Sequence, residues 1–196
     1  MNRRAGGRGP ARAGLILSSG SPQRKAILEQ LGVDFRVQVP GVEELTQGEP
    51  RRVVAENALR KARAATGPGE LVLGADTAVV LDGRIFGKPG ALEEAETFLR
   101  RLSGRTHEVM GGIAVCEPDR GERSDVAVTR VRFRRLERPE LDWYLATGEW
   151  RGRAGGYAIQ GRGAALVEEI EGDYLNVVGL PVAALLRLVP GLLTGR

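Results

Sequence analysis

One run constrains the fold more than any other: Leu71 to Leu81, apolar except at Gly74, Asp76 and Thr77. It reads as a buried strand. An ionisable residue inside such a strand costs several kcal/mol unless it is paired, hydrogen-bonded or placed at a cleft. Asp76 therefore either bonds locally in a structural role or faces a ligand or a metal. Gly74, two positions earlier, allows another group to approach the strand closely.

The surrounding elements alternate. Strand Leu15–Ser18 leads to a helix from Pro22 to about Leu31, a short strand Phe35–Val39, and a helix from Pro50 to Thr66 carrying Val53, Val54, Ala58, Ala62 and Ala65. After the Leu71–Leu81 strand, Asp82-Gly83 signals a hairpin into Ile85-Phe86. A helix from about Leu92 to Leu102 precedes two long strands, His107–Glu117 and Ser124–Arg135. A helix Arg138–Ala146, a loop Gly148–Gly156, a strand Ala165–Glu171 and a helix from about Pro181 to Leu188 complete the chain. Strands and helices alternate first and hairpins accumulate later, so the fold class is a mixed α/β sheet flanked by helices. No interior linker divides it, so 14–196 reads as a single domain after a tail at 1–13.

The first strand runs into Ser18-Ser19-Gly20-Ser21-Pro22-Gln23-Arg24. A loop of hydroxyls and glycine followed by a helix with proline in its first turn makes an anion site. Ser21 stands at the N-cap position, and Arg24 brings a planar fork suited to phosphate. A capped helix with no ligand fits the same spacing.

Charge narrows the partners. The tail holds Arg3, Arg4, Arg8 and Arg12 and no acid, and the remaining 25 basic residues balance 25 acidic ones. A broad nucleic-acid-binding face is not expected from a neutral body. No apolar run approaches the roughly 18 residues that cross a membrane. The one cysteine, Cys116, sits in the apolar run Ile113–Cys116, reads as a buried strand thiol, and fits a reducing, cytoplasmic compartment. Three lysines, Lys25, Lys61 and Lys88, stand against 26 arginines. Lys61 and Lys88 read as positions where a compact ammonium is needed, and Lys25 as chance.

His107 is the lone histidine and reads as structural, which leaves no Ser-His-Asp triad and no cysteine–histidine zinc cluster. Gly87-Lys88-Pro89 is no Walker loop. The chemistry that remains is carboxylate, arginine, lysine and an anion loop. If an acid of the pair Glu43-Glu44 faces Asp76, the two form a hard oxygen site suited to Mg²⁺ or Mn²⁺. That set fits metal-assisted attack of water on a phosphoanhydride.

Taken in order, Leu15 to Arg24, Gly41-Val42-Glu43-Glu44, Leu59-Arg60-Lys61-Ala62, Gly74-Ala75-Asp76-Thr77 and Gly87-Lys88-Pro89 resemble the motifs of the Maf-type nucleoside triphosphate pyrophosphatases. Leu102 to His107, Ala154 to Gly161 and Val178-Gly179-Leu180-Pro181 extend the resemblance to almost the whole chain. The resemblance implies an elongated two-lobed structure with a central cleft, often a homodimer. It implies a hydrolase that cleaves a nucleoside triphosphate to the monophosphate and pyrophosphate with a divalent metal. In that reading Asp76 activates water, and Glu44 supports it and, with Asp76, holds the metal. Ser19, Ser21, Arg24, Lys61 and Lys88 hold the triphosphate. Tyr157-Ala158-Ile159-Gln160-Gly161 is similar to the dTTP/UTP branch, in which Gln23, Thr77 and Gln160 match the positions that tune base choice. Gln23 stands where the family usually has Arg, and Arg153 where it usually has Lys. A nucleotide-binding regulator of septum formation and a purine-type inosine triphosphatase are the alternatives.

Overall fold

The computed structural model describes residues 14–65 and 69–194. The tail at 1–13 and Thr66, the expected end of the second helix, lie outside the described residues. The central strand β3 (Leu71–Leu81) keeps the length read from the sequence. On one side it pairs along most of its length, antiparallel, with β5 (Thr106–Glu117), which pairs in turn with β6 (Gly121–Phe133) and then β7 (Val167–Glu171).

Two different strands share the other side of β3. Its first half pairs in parallel with β1 (Leu15–Ser18), from Leu15↔Leu71 to Ser18↔Gly74, and β2 (Phe35–Val37) lies beyond β1. Its last turn pairs with β4 (Arg84–Phe86) from Val79 onward, closing the Asp82-Gly83 hairpin. Asp82 at φ 52° and Gly83 at φ 74° are both left-handed, as a two-residue hairpin requires. The stretch 75–78 therefore pairs only with β5. The sheet edge opens beside Asp76.

Period-two alternation sends Leu73, Ala75, Val79 and Leu81 to one face, where two separate cores form. Near β1, α1 (Pro22–Gln30) and α6 (Val182–Leu188) cover Leu17, Leu73 and Ile113 with Ile27, Leu28 and Leu185. At the far end, α3 (Leu92–Leu102) and α4 (Arg138–Ala146) pack Leu99, Leu102, Leu141 and Tyr144 on Leu81, Val131 and Phe133. Each such buried apolar side chain contributes about 1.5–3 kcal/mol. Thr77 falls between these two cores.

The opposite face carries α2 (Pro50–Ala64), with Ala58 and Ala62 against Ile16, Val72 and Ala114, and Val54 against Ala78 and Val80. Small residues bring this helix very close. A Cβ on Gly74 would lie 2.1 Å from the Ala58 carbonyl oxygen, and one on Gly112 equally near that of Val54.

Four readings need correction. The strand drawn from Ala165 begins only at Val167, after a 3₁₀ turn over Arg162–Leu166, and β2 ends at Val37. A short helix, α5 (Tyr174–Val178), follows β7 and was not expected. Cys116 is half-buried near the end of β5, not enclosed.

His107 is structural, as read. It is buried, its Nε2 pairs with the Tyr157 hydroxyl at 2.9 Å, and its ring meets Phe133 edge-on. Burial lowers its pKa from 6.5 to about 4, so the native ring is neutral. The unfolded chain then binds a proton that the native one refuses, and stability falls as pH drops from about 6.5 towards 4. The loss attributable to His107 reaches about 3 kcal/mol. Melting temperatures of the protein and of His107→Gln, followed from pH 7 to 4, should converge on acidification.

Candidate active site

Where the β3 edge opens, the chain leaves β1 through Ser19-Gly20-Ser21 and leaves β4 through Gly87-Lys88-Pro89. Between them lies a cleft of about 410 Å³, within the range of small-ligand sites. It is lined by Asp76, Thr77, Glu44, Arg24, Lys61 and Lys88, and by Ser19, Ser21, Gln23 and Gln160. The structure thus brings every residue that the resemblance assigned to the site to one place.

Asp76 forms the floor and is 8% exposed. Both of its oxygens are held from α2, by residues one helical turn apart. Lys61 Nζ donates to Oδ1 at 2.7 Å, and Asn57 Nδ2 donates to Oδ2 at 2.9 Å. The same ammonium stands 2.7 Å from Glu44 Oε1. Lys61 thus joins the two carboxylates, and with three donors it keeps one for a ligand. Burial pushes the Glu44 carboxyl up. The Lys61 hydrogen bond and the charges of Lys61, Lys88 and Arg24 outweigh that and hold it below its ordinary value.

Arg24 is a second brace. Its Nε donates to Gly179 O at 2.9 Å, Nη1 to Ser19 Oγ at 2.9 Å and Nη2 to Thr77 Oγ1 at 3.1 Å. Burial lowers its pKa, opposed by Asp76 and Glu44, and the guanidinium remains a cation. Five N–H groups leave donors beyond these three bonds. Ser21 occupies the N-cap position of α1, but its hydroxyl makes no cap and turns to Gln23 Oε1 at 3.2 Å. Ser19 Oγ accepts the Ser21 amide at 3.2 Å instead, so the loop is folded by the serine before the expected one.

On the far wall, exposed Lys88 stands with Arg151 and Arg153, and Arg151 lies over the Trp150 ring at 4.5 Å. Five cations thus face two carboxylates, a surplus suited to a polyphosphate. Val39, Val79, Val109, Tyr157 and Val178 add apolar lining to the same cleft.

The family model described as Maf-like protein matches residues 14–192. The chain belongs to the Maf-like protein family. Among its Maf-like relatives, the Symbiobacterium thermophilum protein named dTTP/UTP pyrophosphatase is 51% identical over 174 residues, 86% of this chain and 88% of that one. The Thermus thermophilus protein of the same name is 46% identical, covering 92% and 96% of the two chains. The one from Deinococcus radiodurans is 46% identical, covering 90% and 92%. A solved structure, the Staphylococcus aureus Ham1 protein, superposes on 61% of the Maf-like chain and 71% of its own, with TM-score 0.46 and 17% identity.

Two contributors to this Maf-like site had no role in the sequence reading: Asn57 holds Asp76, and Gly179 receives Arg24 through its carbonyl. A signal for Asn57 was present: it lies on the inward stripe Val54, Ala58, Ala62 together with Lys61, and nothing else polar interrupts that stripe.

Proposed function

We propose that this Maf-like chain hydrolyses dTTP and UTP to the nucleoside monophosphate and pyrophosphate, removing such nucleotides, modified pyrimidine forms included, before they enter nucleic acid. One observation carries the reading: a shielded carboxylate, Asp76, at the floor of a cleft whose walls are cationic. The dTTP/UTP pyrophosphatase names of relatives 46–51% identical support the pyrimidine choice.

Water held by Asp76 attacks the α-phosphorus, its proton passing to the carboxylate. The bond from that phosphorus to the bridging oxygen breaks, and pyrophosphate leaves with the oxygen. Arg24, with Ser19 and Ser21 in the loop at its base, and Lys88 across the cleft bind the triphosphate. Lys61 uses its remaining donor on the substrate while orienting both acids. Gln23, Thr77 and Gln160 meet the base, and a glutamine offers the donor and the acceptor that a pyrimidine edge needs.

Glu44 and Asp76 fit a divalent metal. Both are hard donors brought close enough to share one cation, the Lys61 ammonium, so they would hold the metal beside it. Among the described residues no cluster of three or more metal-ligating side chains exists. The protein would supply two ligands and the nucleotide the rest, as is usual for Mg²⁺. Bound Mg²⁺ or Mn²⁺ would neutralise charge that builds on the phosphoryl oxygens.

Among the described residues no helix is long and apolar enough to span a membrane. A cytoplasmic location belongs to the same proposal, as does a homodimer with Trp143, 48% exposed on α4, as a candidate contact.

Pyrophosphate release from dTTP, UTP, dCTP and ITP, with Mg²⁺ or Mn²⁺ and with chelator, tests this. Release from dTTP and UTP at rates tenfold or more above ITP, lost on chelation, is expected. Preference for ITP would overturn the pyrimidine assignment. Tight nucleotide binding with no turnover would favour the septum regulator.

A further inference from the structure

Asn57 is 2% exposed, on a helix face whose other buried residues are valine, alanine and Lys61. Its amide makes three bonds. Nδ2 donates to Asp76 Oδ2 at 2.9 Å and to Leu45 O at 3.0 Å, while Oδ1 accepts from Leu45 N at 2.8 Å. Turning the amide over would set NH₂ against the Leu45 amide and oxygen against two acceptors, so one orientation alone is allowed. Leu45 follows Glu44 in a stretch without regular structure, residues 38–46, and is itself 37% exposed. A buried side chain thus grips a surface loop at the residue next to one carboxylate and grips the other carboxylate directly. The short reach depends on Gly74 and Gly112, which let α2 press against the sheet.

We propose that Asn57 is a positioning residue: it fixes the Asp76 carboxylate relative to the acidic loop, so that Asp76 and Glu44 meet the substrate in one geometry. Lys61 alone cannot do this, because an ammonium on a flexible stem sets distance but not the plane of a carboxylate. Asn57 holds the second oxygen and so fixes that plane. The inference rests on Asp76 being the group that activates water.

The test compares Asn57→Leu and Asn57→Asp with the parent protein. Steady-state kcat and KM for dTTP, affinity for a non-hydrolysable α,β-methylene analogue, and melting temperature are measured. Asn57→Asp keeps the size and the acceptor for Leu45 N–H but replaces both donor bonds by carboxylate repulsion on Asp76, whereas Asn57→Leu removes all three bonds and adds no charge, so a fall in kcat common to both reports lost positioning. Expected is a fall in kcat of about a hundredfold in each folded variant, with KM and analogue affinity within threefold, because proximity and orientation act on the reacting step. Adding Asn57→Asp to Asp76→Asn should lower kcat by less than threefold further. Asn57→Asp with kcat within threefold of the parent overturns the proposal, as does a loss confined to KM and melting temperature. If Asp76→Asn alone keeps full kcat, the assignment of Asp76 fails instead, whatever Asn57 does.

Discussion

Asp76→Asn is expected to lower kcat for pyrophosphate release by about a thousandfold, the size of effect that loss of a positioned general base produces. The asparagine keeps the shape of the carboxylate and removes its negative charge. Its amide cannot satisfy both neighbours: an oxygen turned to Lys61 Nζ leaves an NH₂ facing Asn57 Nδ2, donor against donor. One hydrogen bond is therefore lost, and stability should drop by about 1–2 kcal/mol without loss of the fold. Kinetics beside a thermal melt separate the two effects. A variant that retains full turnover would remove Asp76 from the mechanism.

Gly74→Ala carries the largest expected cost in stability. The added methyl would sit 2.1 Å from the Ala58 carbonyl oxygen and 2.6 Å from the Ala62 amide nitrogen, both backbone atoms of α2. No rotamer relieves a clash between main chain and Cβ, so helix and strand must separate. Overpacking in a dense core costs about 1–3 kcal/mol, and a backbone collision belongs at or above the top of that range. Separation also pulls Asn57 and Lys61 away from Asp76, so activity should fall further than the fraction unfolded explains. Gly74→Ala melting within a degree or two of the parent would contradict the close packing of α2.

Much of this was legible in the sequence because local signals agreed. The run Leu71–Leu81, Asp82-Gly83 at its turn and Leu92–Leu102 after it each stand as read. Asp76 was conspicuous because a charge in a greasy strand needs a reason. What escaped lacked a local pattern. α5 is a five-residue helix, too short for periodicity, and depends on Asp173 capping the Leu175 and Asn176 amides. Ser21 carried the capping chemistry, but its hydroxyl donates to Gln23 and accepts no helix amide, a choice among local partners that spacing cannot decide. Lys61 was assigned to phosphate, while the fold sets it between two acids that sequence separation hides.

The bond from Arg24 Nε to Gly179 O spans 155 positions of chain. During translation the arginine leaves the ribosome long before its acceptor exists. Until that carbonyl emerges, the guanidinium lacks its seat, although the lysines and acids are already synthesised. Nucleotide capture thus matures among the final events of biosynthesis, and a polypeptide stopped short of Gly179 is born without a finished mouth.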